Sequence, residues 1–149
     1  MKFKMALLAM LVAGSAQAVE VGVTGGTTYG GSDRDGMGIT IGQKYQNTGL
    51  EFGMERFNSG TRQDRYTVIG SYDVTKVGPV TVAVKGGAAY LDNAGSVSNG
   101  FAAQLGVGTS LPLTKQLSLT LDYRYQQSLQ SRVEQFNGSN INAGVKYSF

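Results

Sequence analysis

The sequence predicts an all-β fold, an eight-stranded antiparallel up-and-down transmembrane β-barrel. Three observations support it: apolar and polar residues alternate with a period of two along eight segments, turn residues separate these segments, and aromatic residues lie near the segment ends. A content of 22 glycines and only 2 prolines also favours strands and turns over helices. Each segment has about the 9 to 11 residues that a tilted strand needs to cross a bilayer.

The connections between the predicted strands alternate in length. Shorter ones are expected at 46–48, 75–79 and 112–116, and longer ones at 29–35, 58–64, 92–100 and 128–139. Short periplasmic turns and longer outer loops produce this contrast in bacterial barrels, and an even strand count places both termini on one side. The strands themselves are predicted at 19–28, 36–45, 49–57, 65–74, 80–91, 101–111, 117–127 and 140–149.

The N-terminal segment has the pattern of a secretory leader. Lys2 and Lys4 precede an apolar stretch at 5–13, and small residues then lead to Ala18. Residues 1–18 are therefore predicted to be a cleaved signal peptide, and 19–149 a single outer-membrane β-barrel domain. A retained membrane anchor is disfavoured because the apolar stretch is far shorter than the roughly 20 residues of a transmembrane helix.

Charge and cysteine content exclude several classes of protein. Removing the two leader lysines leaves 11 cations against 10 anions, a net charge of +1. A near-neutral chain lacks the basic surface of a nucleic-acid-binding protein, so no nucleic-acid partner is expected. The chain contains no cysteine, so its stability must come from closure and packing and not from disulfides.

Alternation alone does not tell which face of the strands points outward. A soluble eight-stranded barrel of the lipocalin kind would turn its apolar face inward. Here the apolar face carries aromatic residues at both ends of the segments, as the two interfacial girdles of a membrane barrel do. We therefore expect it to face lipid, with interruptions at Gln43 and Arg56. Its apolar members are Val19, Val21, Val23, Met37, Ile39, Ile41, Leu50, Phe52, Met54, Val68, Val82, Val84, Leu105, Val107, Leu119, Leu121 and Val145, with Tyr45, Tyr72, Tyr147 and Phe149 toward the turns and Tyr29, Tyr66, Tyr90, Phe101 and Tyr125 toward the loops.

The opposite face is rich in glycine. Glycine weakens a strand, so it would serve little on a water-facing surface, whereas a crowded barrel interior needs small residues. This face is therefore predicted to line the lumen. Its glycines are Gly22, Gly26, Gly38, Gly42, Gly53, Gly87, Gly106, Gly108 and Gly144.

Five acidic and five basic residues share the glycine face and are predicted to form a charge network in the lumen. An isolated charge in so narrow a space would cost on the order of several kcal/mol, so we expect pairing. An ion path or a catalytic dyad is the alternative interpretation, but side chains fill the interior of eight-stranded barrels. The expected partners are Lys44 with Glu51, Glu55 with Arg65, Glu20 with Lys146, and Asp122 with Arg124 and Lys85, while Asp73 completes the set.

The arginines suggest a second candidate site. All six fall on loops or on the loop-side halves of strands, whereas the lysines of the mature chain lie deeper or toward the turns. Arginine grips phosphate with two parallel hydrogen bonds, and lysine acts as a point charge. Arg34, Arg62 and Arg132 lie on three different predicted loops and are the candidates for lipopolysaccharide contact, although ordinary loop solubility explains the distribution equally well.

The last strand carries the most specific motif. Ile141, Val145, Tyr147 and Phe149 share one face of the C-terminal segment, and the chain ends on phenylalanine. This ending resembles the closing strand of bacterial outer-membrane β-barrels, which the barrel-assembly machinery reads as a sorting signal.

Leader, strands, girdles, charged lumen and terminal phenylalanine together resemble the small eight-stranded outer-membrane proteins. This group includes outer membrane protein X and its adhesin relatives, the opacity proteins, and the membrane domain of outer membrane protein A. The resemblance implies export to the outer membrane of a Gram-negative bacterium, contact with outer-membrane lipids and lipopolysaccharide, and handling by periplasmic chaperones and the barrel-assembly machinery. It also favours a monomer.

The expected role is structural or surface-interacting, with a small porin-like channel as the alternative and a lipid-modifying enzyme as the least favoured class. The enzymes that resemble this barrel depend on a histidine, and this chain has none. Ser-His-Asp and Cys-His arrangements are thereby excluded. No enzymatic activity, cofactor or metal is predicted.

Deletion of Phe149 should impair insertion in cells, because it removes part of the predicted assembly signal and only an outward-facing end residue of the barrel. The amount of the deletion variant in isolated outer membranes, measured against the intact chain, tests this. Equal amounts of the two proteins would reject the sorting-signal interpretation.

Overall fold

Eight antiparallel strands pair in chain order, and β1 pairs with β8 to close the barrel. The computed structural model describes residues 18–29, 34–59, 61–93, 100–129 and 138–149. All eight predicted strands are present, and most extend beyond the predicted bounds by one to four residues at an end. The strands are β1 Ala18–Tyr29, β2 Arg34–Tyr45, β3 Thr48–Ser59, β4 Thr61–Val77, β5 Val80–Asn93, β6 Gly100–Pro112, β7 Leu117–Ser128 and β8 Gly138–Ser148. Among the described residues, no helix is long and apolar enough to cross a membrane.

Three tight turns lie at one end of the barrel, which also holds the start of β1 and the end of β8; we call it the turn end. Gln46 and Asn47 alone join β2 to β3, with Gln46 at a φ of 53°. Gly78, at a φ of 61°, and Pro79 join β4 to β5. These positions match the predicted short connections, but both turns are shorter than expected because the strands extend further.

At the opposite end, the loop end, one predicted long connection is wrong. Residues 58–64 were expected to form a loop, but β3 continues to Ser59 and β4 begins at Thr61, and these two residues are paired. Arg56 lies opposite Asp64, and their side chains form an ion pair (Nε to Oδ1, 2.9 Å). Cross-strand pairs of opposite charge stabilise a hairpin. Because these positions are polar, the alternation of apolar residues does not reveal that the strands continue here. Residues 30–33, 94–99 and 130–137 lie outside the described residues.

One irregularity lengthens β4. The pairing with β5 shifts between Asp73 and Thr75, which leaves Val74 as the extra residue of a β-bulge. Beyond the bulge the strand continues to Val77, so β4 is the longest strand, with 17 residues. The alternation of the sequence is broken at this point, which explains why the predicted strand ended there.

The apolar face points outward. Met37 and Leu105 are each 71% exposed, and most other members of the predicted lipid-facing set are exposed or half-exposed. Exposed tyrosines lie toward both ends of the barrel, including Tyr45 and Tyr72 at the turn end and Tyr29 and Tyr125 at the loop end. An apolar surface of this extent on a closed barrel is suited to lipid and not to water.

The lumen has no room for side chains at the predicted glycines. At Gly87, an added Cβ would lie 2.8 Å from the Cα of Ile69 and closer still to the Val68 carbonyl oxygen. Each of the nine lumen-facing glycines would place a Cβ within 3.0 Å of another atom. The outward-facing Gly86 differs, because its nearest neighbour would be 3.7 Å away. Crowding inside the barrel therefore explains the glycines of one face only.

These two adjacent glycines provide a matched test. Gly87→Ala should lower the free energy of unfolding by about 1 to 3 kcal/mol, because the methyl group clashes with the backbone of β4. Gly86→Ala should change it by no more than about 1 kcal/mol, in the stabilising direction. Reversible urea unfolding of the folded barrel in lipid vesicles measures both values, and equal effects would contradict the assignment of faces.

Candidate functional site: the charged lumen

The ten charged residues predicted to face the lumen are all buried or half-buried in the structure. They divide into two groups along the barrel axis. One group fills the loop half and leaves little space, and the other surrounds a cavity in the turn half. The chemistry of the two halves therefore differs.

Glu55 on β3 is the centre of the loop-half group. Its carboxylate accepts hydrogen bonds from Arg65, directly opposite on β4, and from Arg124 on β7 (Nη2 to Oε1, 3.1 Å). The three side chains are only 2% to 7% exposed. Burying charged groups away from water is costly. The two guanidinium groups can lie in the lumen because the Glu55 carboxylate offsets that cost. Phe57 adds a ring 4.8 Å from the Arg65 guanidinium carbon.

Two glutamines complete this group. Gln126 Oε1 accepts from Arg65 Nη1 at 2.9 Å and from Gln104 Nε2 at 2.8 Å. Gln104 Oε1 in turn accepts from Arg124 Nη1 at 3.1 Å. The hydrogen bonds thus form a closed ring of five side chains on β3, β4, β6 and β7. We call this ring the lumen plug; its members are Glu55, Arg65, Gln104, Arg124 and Gln126.

Sequence reasoning missed Gln104 and Gln126, although a usable signal exists. Gln126 lies two residues beyond Arg124, and Gln104 two residues before Gly106, so both continue a lumen-facing alternation. They are 1% and 4% exposed. A search for charged residues alone overlooks neutral amides. An amide both donates and accepts hydrogen bonds, so the two glutamines can link the two arginines.

The turn half encloses a cavity of about 80 Å³. A water molecule needs about 10 to 15 Å³ of such space, so several can enter. Three ion pairs line the cavity, and each joins different strands: Lys44 with Asp73 (2.5 Å), Lys85 with Asp122 (2.9 Å), and Lys146 with Glu51. Glu20 also lines the cavity.

Two predicted ion pairs, Lys44 with Glu51 and Glu20 with Lys146, are wrong because the observed strand register differs from the predicted one. The turn centre lies between Gln46 and Asn47, so Lys44 faces Gly49, and Glu51 faces Gly42. Glu51 is instead bound by Lys146, which reaches it from β8.

At the closure of the barrel the offset is similar. Glu20 lies opposite Ser148, and Lys146 lies opposite Gly22, so the predicted pair of Glu20 with Lys146 is displaced by two residues. By contrast, Glu55 and Arg65 are paired as the register predicted, and Lys85 meets Asp122. Arg124, expected near these two, contacts Glu55.

The other predicted sites are only partly described. Arg34 begins β2 and Arg62 is the second residue of β4, so both belong to strands, while their side chains and all of Arg132 lie outside what the structure describes. In the terminal strand, Ile141, Val145, Tyr147 and Phe149 point outward together. The backbone N–H of Phe149 donates to the Val19 carbonyl at 2.9 Å, which anchors the chain end against β1.

The lumen does not have the residue clusters typical of a metal site or of a Cys-His or Ser-His pair, as far as the described strands and turns go. Across the described strands and turns, no group of three or more metal-ligating residues is present. The chain has neither histidine nor cysteine. The polar groups of the lumen plug are engaged mainly with one another, an arrangement suited to holding strands together.

Lys146→Met should destabilise the barrel by about 1 to 3 kcal/mol, because Glu51 is left unpaired in a partly buried position. Adding Glu51→Gln should recover part of the loss, whereas adding Glu20→Gln should recover much less. Urea unfolding of the single and double variants gives both coupling energies. Stronger coupling with Glu20 than with Glu51 would contradict the observed register.

No protein-family model matches the sequence, and no curated protein matches it. Solved structures do match. The N-terminal β-barrel domain of Pseudomonas aeruginosa OprF has a TM-score of 0.71 and 18% identity, covering 89% of this chain and 97% of that chain.

Two further structures show the same likeness. P. aeruginosa outer membrane protein H (OprH) matches with a TM-score of 0.61 and 20% identity over 88% of this chain and 99% of that chain. The Yersinia pestis attachment invasion locus protein Ail, in complex with the heparin analogue sucrose octasulfate, matches with a TM-score of 0.58 and 12% identity over 89% and 97%. The chain therefore has the fold of the small eight-stranded outer-membrane β-barrels.

Proposed function

We propose that this protein is an integral outer-membrane β-barrel with a structural or surface-interaction role in the envelope of a Gram-negative bacterium. The observation that carries this proposal is the apolar, aromatic-bordered outer surface of a closed barrel whose interior is polar. Such a surface is stable only in lipid. The likeness to outer-membrane barrels supports the same location.

Biogenesis follows from this location. Export requires the signal peptide at 1–18 to be removed, and the barrel then passes through periplasmic chaperones to the barrel-assembly machinery. Ile141, Val145, Tyr147 and Phe149 supply the assembly signal. The finished protein is a monomer that contacts outer-membrane lipids and lipopolysaccharide, and it requires no cofactor.

A structural role suits the lumen better than catalysis does. Histidine, the commonest general base near neutral pH, is missing from the sequence. The carboxylate of Glu55 is held between two arginines, an environment that stabilises its ionised form and leaves it without a proton to give. The network is therefore suited to connecting the strands and not to catalysis.

A small channel is the alternative function, and the turn-half cavity is the observation that favours it. Any ion path would have to continue through the lumen plug, where Arg65, Gln104 and Gln126 are almost completely buried. The plug therefore favours a closed lumen. The two candidates differ in a measurable property, the conductance of the barrel.

Purified barrel in planar bilayers should show no steady single-channel openings, because the lumen plug blocks the pore. Replacing Glu55, Arg65 and Arg124 together by alanine removes all three charges of the two ion pairs and should produce openings if the variant folds. Insertion of both proteins is verified first by protease resistance in vesicles. Steady openings of the unaltered barrel would establish the channel function and reject the plug.

The surface-interaction role rests on Arg34, Arg62 and Arg132, which we propose contact lipopolysaccharide phosphates. Changing all three to lysine keeps the charge and removes the bidentate fork, so binding of isolated lipopolysaccharide should fall by about tenfold. A triple glutamine variant serves as the control for charge alone. Loss only in the glutamine variant would indicate plain electrostatic attraction, and unchanged binding in both would reject the contact.

A further inference from the structure

The outer wall of the barrel has a groove across β3, β4, β5 and β6. Its volume is about 500 Å³, and its lining is almost entirely apolar. The residues around it are Phe52, Tyr66, Val68, Ala88, Tyr90 and Phe101. The groove therefore lies on the surface that faces lipid in the proposed function.

Small residues continue the outward face from this groove toward the turn end. The strand register places Gly70 opposite Gly86, and Ala88 opposite Ala103, on adjacent outward-facing rows. Leu105, at 71% exposure, rises beside Gly86 on the neighbouring strand. Of these four small residues, Ala88 lines the groove and the other three lie beside it.

Packing inside the barrel does not require the two glycines of the row beside the groove. A Cβ added at Gly70 or Gly86 would have no neighbour nearer than 3.7 Å, in contrast to the lumen-facing glycines. Glycine in a strand costs about 0.5 to 1 kcal/mol relative to alanine. Their presence is therefore best explained by the shape that they give to the outer surface.

The loop end of the groove is bordered first by aromatic rings and then by charges. Tyr66 and Tyr90 lie opposite each other, and the Tyr90 and Phe101 rings are 5.1 Å apart. In the next row toward the loop end, Arg56 lies opposite Asp64. Charge, aromatic ring and apolar groove thus follow one another in the order of head group, interface and chain in a lipid.

Arg56 retains hydrogen-bonding capacity within this row. It contacts Asp64 through Nε (2.9 Å), and among the described contacts its terminal amino groups have no partner. Its side chain is 44% exposed. A partly exposed guanidinium group with further N–H donors is suited to a phosphate, which it binds through parallel hydrogen bonds.

We propose that the groove holds one acyl chain of a phosphorylated outer-leaflet lipid, the lipid A anchor of lipopolysaccharide, with its phosphate at Arg56. The proposal rests on the proposed function, because it requires this wall to face the outer leaflet. A second copy of the barrel fits less well, since a two-fold interface would set one concave patch against another. Asp92, opposite Asp64 on β5, adds a negative charge that weakens phosphate binding.

Ala88→Leu fills the groove without touching the lumen, because Ala88 points outward. The matched control is Ala143→Leu, which adds the same bulk to an outward alanine opposite Gly25 on the β1–β8 wall. Native mass spectrometry of the folded barrel in detergent, titrated with hexa-acylated bisphosphorylated lipid A, measures the fraction with one lipid bound. The groove variant should bind at least about tenfold more weakly, equivalent to the lost burial of about two methylene groups, while the control should bind like the unaltered barrel.

The charges at the rim give a second and independent measurement. Arg56→Gln should weaken binding of lipid A, and Asp92→Asn should strengthen it. Phosphatidylglycerol, which carries a single phosphate and two chains, should be retained less than lipid A, and equal retention would overturn the assignment to lipid A. Equal lipid A binding by the Ala88 and Ala143 variants would overturn the groove itself.

The two proposals fail in different ways. If the barrel does not insert into vesicles, the proposed function fails before any lipid is counted. If the barrel inserts and the variants at Arg34, Arg62 and Arg132 lose lipopolysaccharide while Ala88→Leu does not, the envelope role stands and the groove is rejected.

Discussion

Closure of the barrel by the pairing of β1 with β8 is the constraint on which the rest of this structure depends. A bilayer offers no hydrogen bonds to the backbone, so every strand must have two paired neighbours. Eight strands satisfy this condition and leave an interior just wide enough for side chains. Many lumen positions then hold either a residue with no side chain, such as Gly87 or Gly106, or a charged residue with a partner, such as Glu55, and small apolar residues such as Ala89 and Ala102 fill others.

The ion pairs are a consequence of that narrow interior. In the loop half, Glu55 accepts hydrogen bonds directly from two arginines, and two glutamines connect those arginines to each other and close the ring. A buried network of this kind favours one arrangement of its side chains. In the turn half, the pairs surround space for water, so each is better solvated and contributes less to stability. The strands are thus cross-linked tightly at one level and more loosely at the other, which favours a stable scaffold over an open pore.

The outer surface follows different rules because, in the proposed function, it contacts lipid and not neighbouring protein. Bulky apolar residues such as Met37 and Leu105 extend into that environment. Across β3 to β6 the surface is instead recessed at the groove, and beside the groove lie Gly70 and Gly86, two glycines that no contact in the lumen demands. Glycines that the crowded lumen requires build the barrel, and glycines that it does not require shape the exterior. The shape of the exterior connects the fold to the proposed contact with lipopolysaccharide.

The sequence by itself determined the class of fold, the eight strands, the face that points outward and the pair of Glu55 with Arg65, because a period of two and a symmetric hairpin are local properties. It did not determine the partners of Lys44 and Lys146, since the position of a turn changes the register by whole residues and one wrong centre moves a pair by two. It also predicted too long a loop at 58–64, where polar and charged residues continue both strands of the hairpin. Only the tertiary structure decided that Lys146 reaches Glu51 and that Gln104 and Gln126 complete the plug. Those contacts join strands that are distant in the sequence, and curvature of the closed sheet alone brings them together across the lumen.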